Sequence, residues 1–422
     1  MTYQRTNRHT SLVTTDARVS TGSRRSAIVD AAEALILRDG IDGVRAQRLA
    51  DQAGISIATP YYYFESLDAA VEAVQARASE RLATARAAAV QAAGDDPLDQ
   101  LRALLTSDFA GPTARVRSAW LLRLEFQRRA IFDASLREGV RAGEQAALDL
   151  LTELVAAGQS TTAIPADVPA ARLAARLLAL SCGLGALLLV DMVTPQRAAA
   201  LLDDAVDDRD HWRSSSSPHT PPEVPADVPA ADRATAILDE TIALIAEAGV
   251  AGVHYRAVAE RAGTSLSLPR YYFPTIRELI SAAFARDLEV AQSRMAPAAA
   301  PEIDALARLA HTYMPAESAQ LAARRPTLVL WFEFLRLGEG EPKARAVGRA
   351  RLQGWLDYST ALAGELVAAG LVPADRATRE RAERLIAVNT GASGLWLIGL
   401  IADAEFAAVM NGVIDDESGR LV

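Results

Sequence analysis

The sequence predicts an all-α protein made of two similar helical halves. Three observations lead there. Half of the 422 residues are hydrophobic but only 5% are aromatic, and a chain rich in Ala, Leu and Arg favours helix over sheet. Apolar residues recur at helical spacing in both halves, as at Ile28, Ala31, Ala32, Leu35 and Ile36 and again at Ile237, Thr241, Leu244 and Ile245. Finally, residues 28–71 lie over residues 237–280 without a gap, an offset of 209.

The elements follow in order. Residues 1–23 read as a disordered basic arm suited to lying along phosphates, residues 1–25 holding Arg5, Arg8, Arg18, Arg24 and Arg25 against Asp16 alone. Residues 24–70 form a first head. Within it, Gln47–Ala53 reads as a short helix with Leu49 and Ala50 inward, Gly54 as a tight turn, and Ser56 as the cap of a helix over Ile57–Phe64. Gly40 falls where the preceding helix would end in a left-handed cap. Residues 71–209 are a helical body, with helices expected near 97–109, 115–131, 139–157, 169–193 and 196–206. Residues 210–232, dense in Ser and Pro, read as a linker able to span tens of ångströms at about 3.1 Å per residue.

The second half repeats this plan. Residues 233–279 are the second head, with Gly249 ending the first helix, Arg256–Ala262 and Leu266–Phe273 as the paired helices, Gly263 as the turn and Ser265 as the cap. Residues 280–422 are the second body, with helices expected near 303–321, 325–337, 342–369, 375–402 and 404–413. LVAAG at 154–158 recurs at 366–370, and PADVPAARLAARLLALSCGLGALLL from Pro165 lies over PADRATRERAERLIAVNTGASGLWL from Pro373.

A helix-turn-helix crosses the DNA backbone with its first helix and puts the N-terminal end of its second into the major groove. The groove-facing positions are then Ile57, Ala58, Thr59 and Tyr61 in one head, and Leu266, Ser267, Leu268 and Arg270 in the other. Tyr62, Tyr63, Tyr271 and Tyr272 carry hydroxyls suited to phosphate, while Phe64 and Phe273 plug the core. The heads are unlike: Ile57, Ala58 and Tyr61 offer mainly apolar contact to thymine methyls, whereas Arg270 can donate two hydrogen bonds to a guanine.

The runs LADQAGISIATPYYYF and VAERAGTSLSLPRYYF resemble the signature of TetR-type bacterial transcription regulators. That resemblance implies a three-helix DNA-binding head, a fourth helix joining it to a larger helical ligand and dimerisation body, and repression relieved by a small-molecule effector. It places Gln47 and Arg256 within reach of bases, beside Arg48 and Tyr255. Arg45, Ser56, Ser265 and Thr275 complete the candidate DNA contacts. The chain departs from the pattern at Ile57, Leu67, Leu266 and Ile276, where the family usually carries lysine, and Pro60 and Pro269 sit near the fourth helical position. Fewer cations mean weaker salt-dependent binding, so the alternative reading is a ligand-binding or interaction module in which one or both heads no longer bind DNA.

In the family, late helices of two subunits build a four-helix interface. Here the apolar, glycine-bearing segments Leu173–Val193 and Ala382–Ala402 are placed to meet within one chain. The expectation is an intramolecular pseudo-dimer, acting as a monomer or as a homodimer of that unit, on an operator of two unlike half-sites about one turn apart. An effector cavity is expected among the middle helices of each body, with Trp120, Phe126, Tyr313, Trp331, Phe334 and Trp355 as candidates to line it.

A net charge of −9 is set by the whole surface and does not decide function. One cysteine, Cys182, rules out an intrachain disulfide and a cysteine-built zinc site. No phosphate loop, nucleophile elbow or metal-spaced cluster appears, so no catalytic residue, cofactor or metal is expected. Leu173–Val193 holds Arg176 and ends near Asp191, which reads as a buried helix and not a membrane span; no signal peptide is evident, and the expected location is the cytoplasm.

Overall fold

The computed structural model describes residues 10–208, 232–295, 308, 312, 313, 318–340, 342–370, 372, 374 and 376–418. All regular structure among them is helical, and they fall into two compact units, residues 1–80 and 81–422.

In the first unit, α1 (Thr10–Asp39), α2 (Ala46–Ala53), α3 (Thr59–Tyr63) and the start of α4 (Leu67–Ala92) enclose a small core. Ile28, Ala32, Leu35 and Ile36 of α1 are buried with Leu49, Ala50, Phe64, Ala70 and Val74. Helix α1 begins at Thr10, well before the head boundary drawn at residue 24; no proline or glycine lies between Thr10 and Thr21 to stop it. Residues 1–9, the remainder of the basic arm, lie outside the described residues. Arg77 fastens α4 to α1 through Asp30 at 2.5 Å and Glu33 at 2.6 Å.

Gly40 closes α1 by donating its N–H to Ile36 O at 2.9 Å. Its backbone, φ 80° and ψ 172°, corrects the expected left-handed cap. The chain leaves through the extended positive-φ region that is essentially reserved for glycine. Gly249 does the same at φ 70°, ψ 177°.

The second unit contains α5 (Pro97–Ser107), α6 (Thr113–Ala130), α7 (Ala134–Ser160), α8 (Ala170–Leu189), α9 (Pro195–Asp207), α10 (Arg233–Ala248), α11 (Tyr255–Arg261), α12 (Ser267–Tyr272), α13 (Ile276–Met295), α14 (Ser318–Gly340), α15 (Pro342–Ala368), α16 (Thr378–Leu397) and α17 (Asp403–Ser418). The start of the helix expected near 303–321 and nearly all of the linker expected at 210–232 lie outside the described residues. Asp96, Asp133, Thr194 and Asp232 cap α5, α7, α9 and α10 by accepting backbone N–H groups of the first turn.

Helices α8 and α16 are buried along almost their whole length and pack against each other. Glycines permit this approach: a β-carbon at Gly183 would overlap Ala387 O, and one at Gly391 would overlap Ala179 O. By length and composition α8 could cross a membrane, but 94% of its apolar window is buried inside the protein.

A second junction joins α6 to α14. Arg128 pairs with Glu125 at 2.9 Å on its own helix and with Glu333 at 2.7 Å on α14, while Arg336 of α14 reaches Glu125 at 3.2 Å. Both carboxylates are almost fully buried. Burial opposes the Arg128 charge, but Glu125 and Glu333 outweigh it and raise its pKa. The other Glu333 oxygen accepts the N–H of Val250, at the corner where α10 ends, at 3.2 Å.

Candidate nucleic-acid interface

Each head assembles its probe from a turn and a short helix. In the first, Gly54 takes the left-handed conformation (φ 65°, ψ 37°) and its N–H turns back to Ala50 O and Asp51 O. In the second, Gly263 adopts φ 61°. Helix α3 starts at Thr59 and α12 at Ser267, later than the starts expected at Ile57 and Leu266.

The expected serine caps are corrected by this shift. Ser56 offers its carbonyl, not its hydroxyl, to Thr59 N at 2.9 Å, and its Oγ pairs with Thr59 Oγ1 at 2.8 Å. Ser265 likewise accepts Leu268 N on its carbonyl at 3.0 Å and holds Ser267 Oγ at 3.1 Å. The later starts also put Pro60 and Pro269 second and third in their helices. No intrahelical N–H partner is lost at those positions.

The side chains left outside are the telling feature. The large hydrophobic residues exposed among the described residues are Ile57 (50%), Tyr61 (52%), Tyr62 (82%), Leu266 (59%), Tyr271 (79%), Tyr272 (40%) and Val347 (45%). All but Val347 lie on the two short helices or their entry turns. Apolar surface concentrated this way marks a contact face. Ala58, Ser267 and Arg270 are exposed beside them, while Thr59, Tyr63 and Leu268 are half-buried. Phe64 is buried as expected and takes the Arg25 guanidinium over its ring at 4.7 Å; Phe273 is only half-buried, which corrects its reading as a core plug. The counterpart of Val71 in the next helix is Ile280, and that side chain supplies the buried apolar contact there.

The supporting polar residues differ between heads. Arg45 is exposed at the start of α2. Gln47 donates to Asp51 at 2.8 Å, and Arg48 pairs with Asp39 at 2.8 Å. In the second head, Arg256 pairs with Glu260 at 3.0 Å, both well exposed, an arrangement worth only about 0.3–0.5 kcal/mol and easily exchanged for phosphate. Tyr255 donates its hydroxyl to Phe273 O at 2.6 Å, and its ring lies 5.0 Å beneath the Arg270 guanidinium. Arg270 is thereby held on an aromatic platform at the tip of α12. Thr275 and Glu278 cap α13 reciprocally, each accepting the other's backbone N–H at 3.1 Å. Sequence reasoning missed His254, whose Nδ1 accepts Ala257 N at 3.1 Å to cap α11; histidine is an uncommon cap, and only its position before the helix hinted at it.

The aromatic residues expected around a cavity in each body lie mostly in packed positions. Trp120 borders a narrow cleft with Gln127, Cys182 and Phe332. Tyr313 is fully buried with its hydroxyl 2.5 Å from Ser359 Oγ and its ring 5.9 Å from Trp355. Trp331 and Phe334 stack at 6.3 Å, and Phe126 is buried on α6. Phe126, Tyr313, Trp331 and Phe334 are packed as core, while Trp355 is half-buried.

Cys182 is buried beside Arg123, whose Nη2 donates to its Sγ at 3.3 Å. Burial pushes the thiol up to about 12 from an ordinary value near 9.0, with Arg123 opposing. The native chain should therefore resist iodoacetamide at pH 8 and react once denatured, as mass spectrometry would show. The unfolded thiol ionises first, so this group's contribution to stability is complete below about pH 9 and declines as pH rises towards 12. Urea unfolding in that alkaline window would register the loss, and Cys182→Ala would remove it.

A helix-turn-helix head followed by a helical body is the arrangement of a DNA-binding transcription regulator. Residues 28–74 match the family described as bacterial regulatory proteins, tetR family, and residues 97–211 match the BetI-type transcriptional repressor, C-terminal family. These matches liken the first half of the chain, in head and in body, to TetR-type regulators. No curated protein matches the chain. Among solved structures, a TetR-family transcriptional regulator described from Rhodococcus sp. is 24% identical, covering 44% of this chain and 98% of its own at a TM-score of 0.40. A transcriptional regulator from Saccharomonospora viridis, solved with choline, is 23% identical over 44% and 96% with a TM-score of 0.41. The fatty acid degradation regulator FadR from Bacillus halodurans is 18% identical over 44% and 93% with a TM-score of 0.36.

Proposed function

We propose that this chain is a cytoplasmic, ligand-responsive repressor that reads two unlike half-sites of a double-stranded operator as one covalent pseudo-dimer. The observation that carries this reading is the exposure of Ile57, Tyr61 and Tyr62 on one head and of Leu266, Arg270 and Tyr271 at the matching positions of the other.

The pseudo-dimer is supported by contacts that exchange under one sequence offset. Adding 208 turns Gly183 into Gly391 and Ala179 into Ala387; Gly183 meets Ala387, and Gly391 meets Ala179. The same offset turns Glu125 into Glu333 and Arg128 into Arg336; Arg128 meets Glu333, and Arg336 meets Glu125. Reciprocity of this kind is what an isologous two-fold interface requires. A tandem duplication that fused two protomers accounts for both sets.

Unlike probes imply an asymmetric operator. Arg270→Ala should relax base choice in one half-site only, by roughly 1–3 kcal/mol at the contacted base. Footprinting of the variant on the mapped operator measures this, and an equal loss in both half-sites, or a perfect inverted repeat as the operator, contradicts it. In the first head Arg48 and Gln47 are engaged by Asp39 and Asp51. This favours a second reading in which the first head contributes little to affinity; Arg45→Ala would then leave binding unchanged.

A further inference from the structure

The cleft bordered by Trp120 lies between the two halves, with Gln127 and Cys182 on one side and Phe332 and Thr390 on the other. Glycines line it: a β-carbon at Gly185 would overlap the Trp120 ring, and one at Gly394 would come within 2.8 Å of Phe332. Its free space, mouth included, is about 310 Å³, and the slot is narrow.

Two residues bordering this slot each carry a buried donor without a partner, the Trp120 indole Nε1 and the Gln127 amide Nε2. Trp120 and Gln127 are 5% and 7% exposed. A buried donor left unmatched destabilises the closed slot, a cost that an inserted acceptor would remove. The Trp120 ring is braced, with Phe109 stacked at 5.1 Å and the Arg123 guanidinium 4.7 Å from its centre. Arg123 does not ask for an anion, because Glu144 and Asp108 already match its charge. A bare carboxylate entering this apolar slot would lose hydration without a free cation in return.

We propose that this cleft is a binding site for a flat, mostly apolar, neutral molecule carrying a carbonyl acceptor, which widens the slot and takes hydrogen bonds from Trp120 Nε1 and Gln127 Nε2. Among the described residues there is one such site. At the positions offset by 208, Gln127 becomes Leu335 and Cys182 becomes Thr390, so the amide donor is not repeated. The site gives the proposed regulator a place for its effector, and it rests on that reading only for its consequence at DNA. Gln127 also adjoins Arg128, which holds Glu333, the acceptor for Val250 of the second head.

Titration calorimetry on the full chain, with no DNA present, tests binding alone. The probes are coumarin, naphthalene of the same outline without an acceptor, and 2-naphthoate. Coumarin should bind roughly tenfold more tightly than naphthalene, the worth of one hydrogen bond to a buried donor, and more tightly than 2-naphthoate. Gln127→Leu, which installs the residue the second half already carries, should abolish most of that preference; Trp120→Phe checks the other donor independently. The proposal is overturned if coumarin fails to bind up to its solubility limit, if naphthalene or 2-naphthoate binds as well, or if both variants keep the wild-type preference. Because the readout is on the protein alone, loss of DNA binding would leave a positive result standing.

Discussion

Gly183→Ala and Gly391→Ala should each destabilise the chain by about 3 kcal/mol, and by similar amounts, in urea unfolding. At both positions the added methyl group would occupy the space of a backbone carbonyl oxygen on the facing helix, Ala387 O for one and Ala179 O for the other. A flexible side chain could swing aside; a carbonyl in the middle of a buried helix cannot move without displacing α8 or α16. Those helices form the most extensively buried pair in the structure. Gly364→Ala, where a β-carbon would meet no atom within 4 Å, is the control and should be neutral or slightly stabilising through helix propensity. Unequal costs at Gly183 and Gly391 would argue against an interface related by a two-fold operation.

The second large effect falls on the buried ion cluster. Arg128→Met should cost about 3–5 kcal/mol, because it leaves Glu125 and Glu333 in the interior with less compensation for their charge. Arg336→Met should cost less, since Glu125 and Glu333 both keep Arg128. Replacing all four residues by apolar ones of similar size should recover much of the loss, as buried ion pairs contribute little net stability over packed hydrocarbon. Thermal and urea unfolding of the two single variants and the quadruple variant measure the series. A quadruple variant no better than Arg128→Met would show that the cluster has a role beyond charge compensation. Glu333 supplies one such role, since its second oxygen holds the Val250 N–H at the corner of the second head.

The heads were the most legible part of the sequence, for a physical reason. A helix-turn-helix needs a glycine at the turn, small residues where its helices touch and an exposed second helix, and each requirement restricts residue type locally. Gly54, Ala50 and the tyrosines after Pro60 therefore declared themselves. Helix positions in the bodies were also close, because apolar periodicity sets them. The caps were less legible: Ser56 and Ser265 stand where a capping serine belongs, but the chain enters each helix one or two residues later and uses their carbonyls. Gly40 and Gly249 were recognisable as helix ends, yet their ψ values depend on where the next turn must go.

Contacts between the halves were beyond periodicity. The motif Glu-x-x-Arg occurs at 125–128 and at 333–336, and that repetition could have suggested a reciprocal ion pair. Which glutamate meets which arginine depends on the crossing of α6 and α14, set by packing far away in sequence. The aromatic candidates for the cavities of the two bodies were hard to tell apart for the same reason. Helical spacing alone does not tell a ring that lines a cleft, as Trp120 does, from one packed into the core, as Tyr313 is.

The most direct test of the central claim is the stoichiometry of the full chain on DNA. Fragments recovered by genomic mapping of bound sites supply the operator, and light scattering or sedimentation of the complex, across a salt series, counts chains per duplex. One chain should protect both half-sites of an asymmetric operator, with no dependence on chain–chain association. A complex that forms only with two chains on a symmetric site would contradict the account.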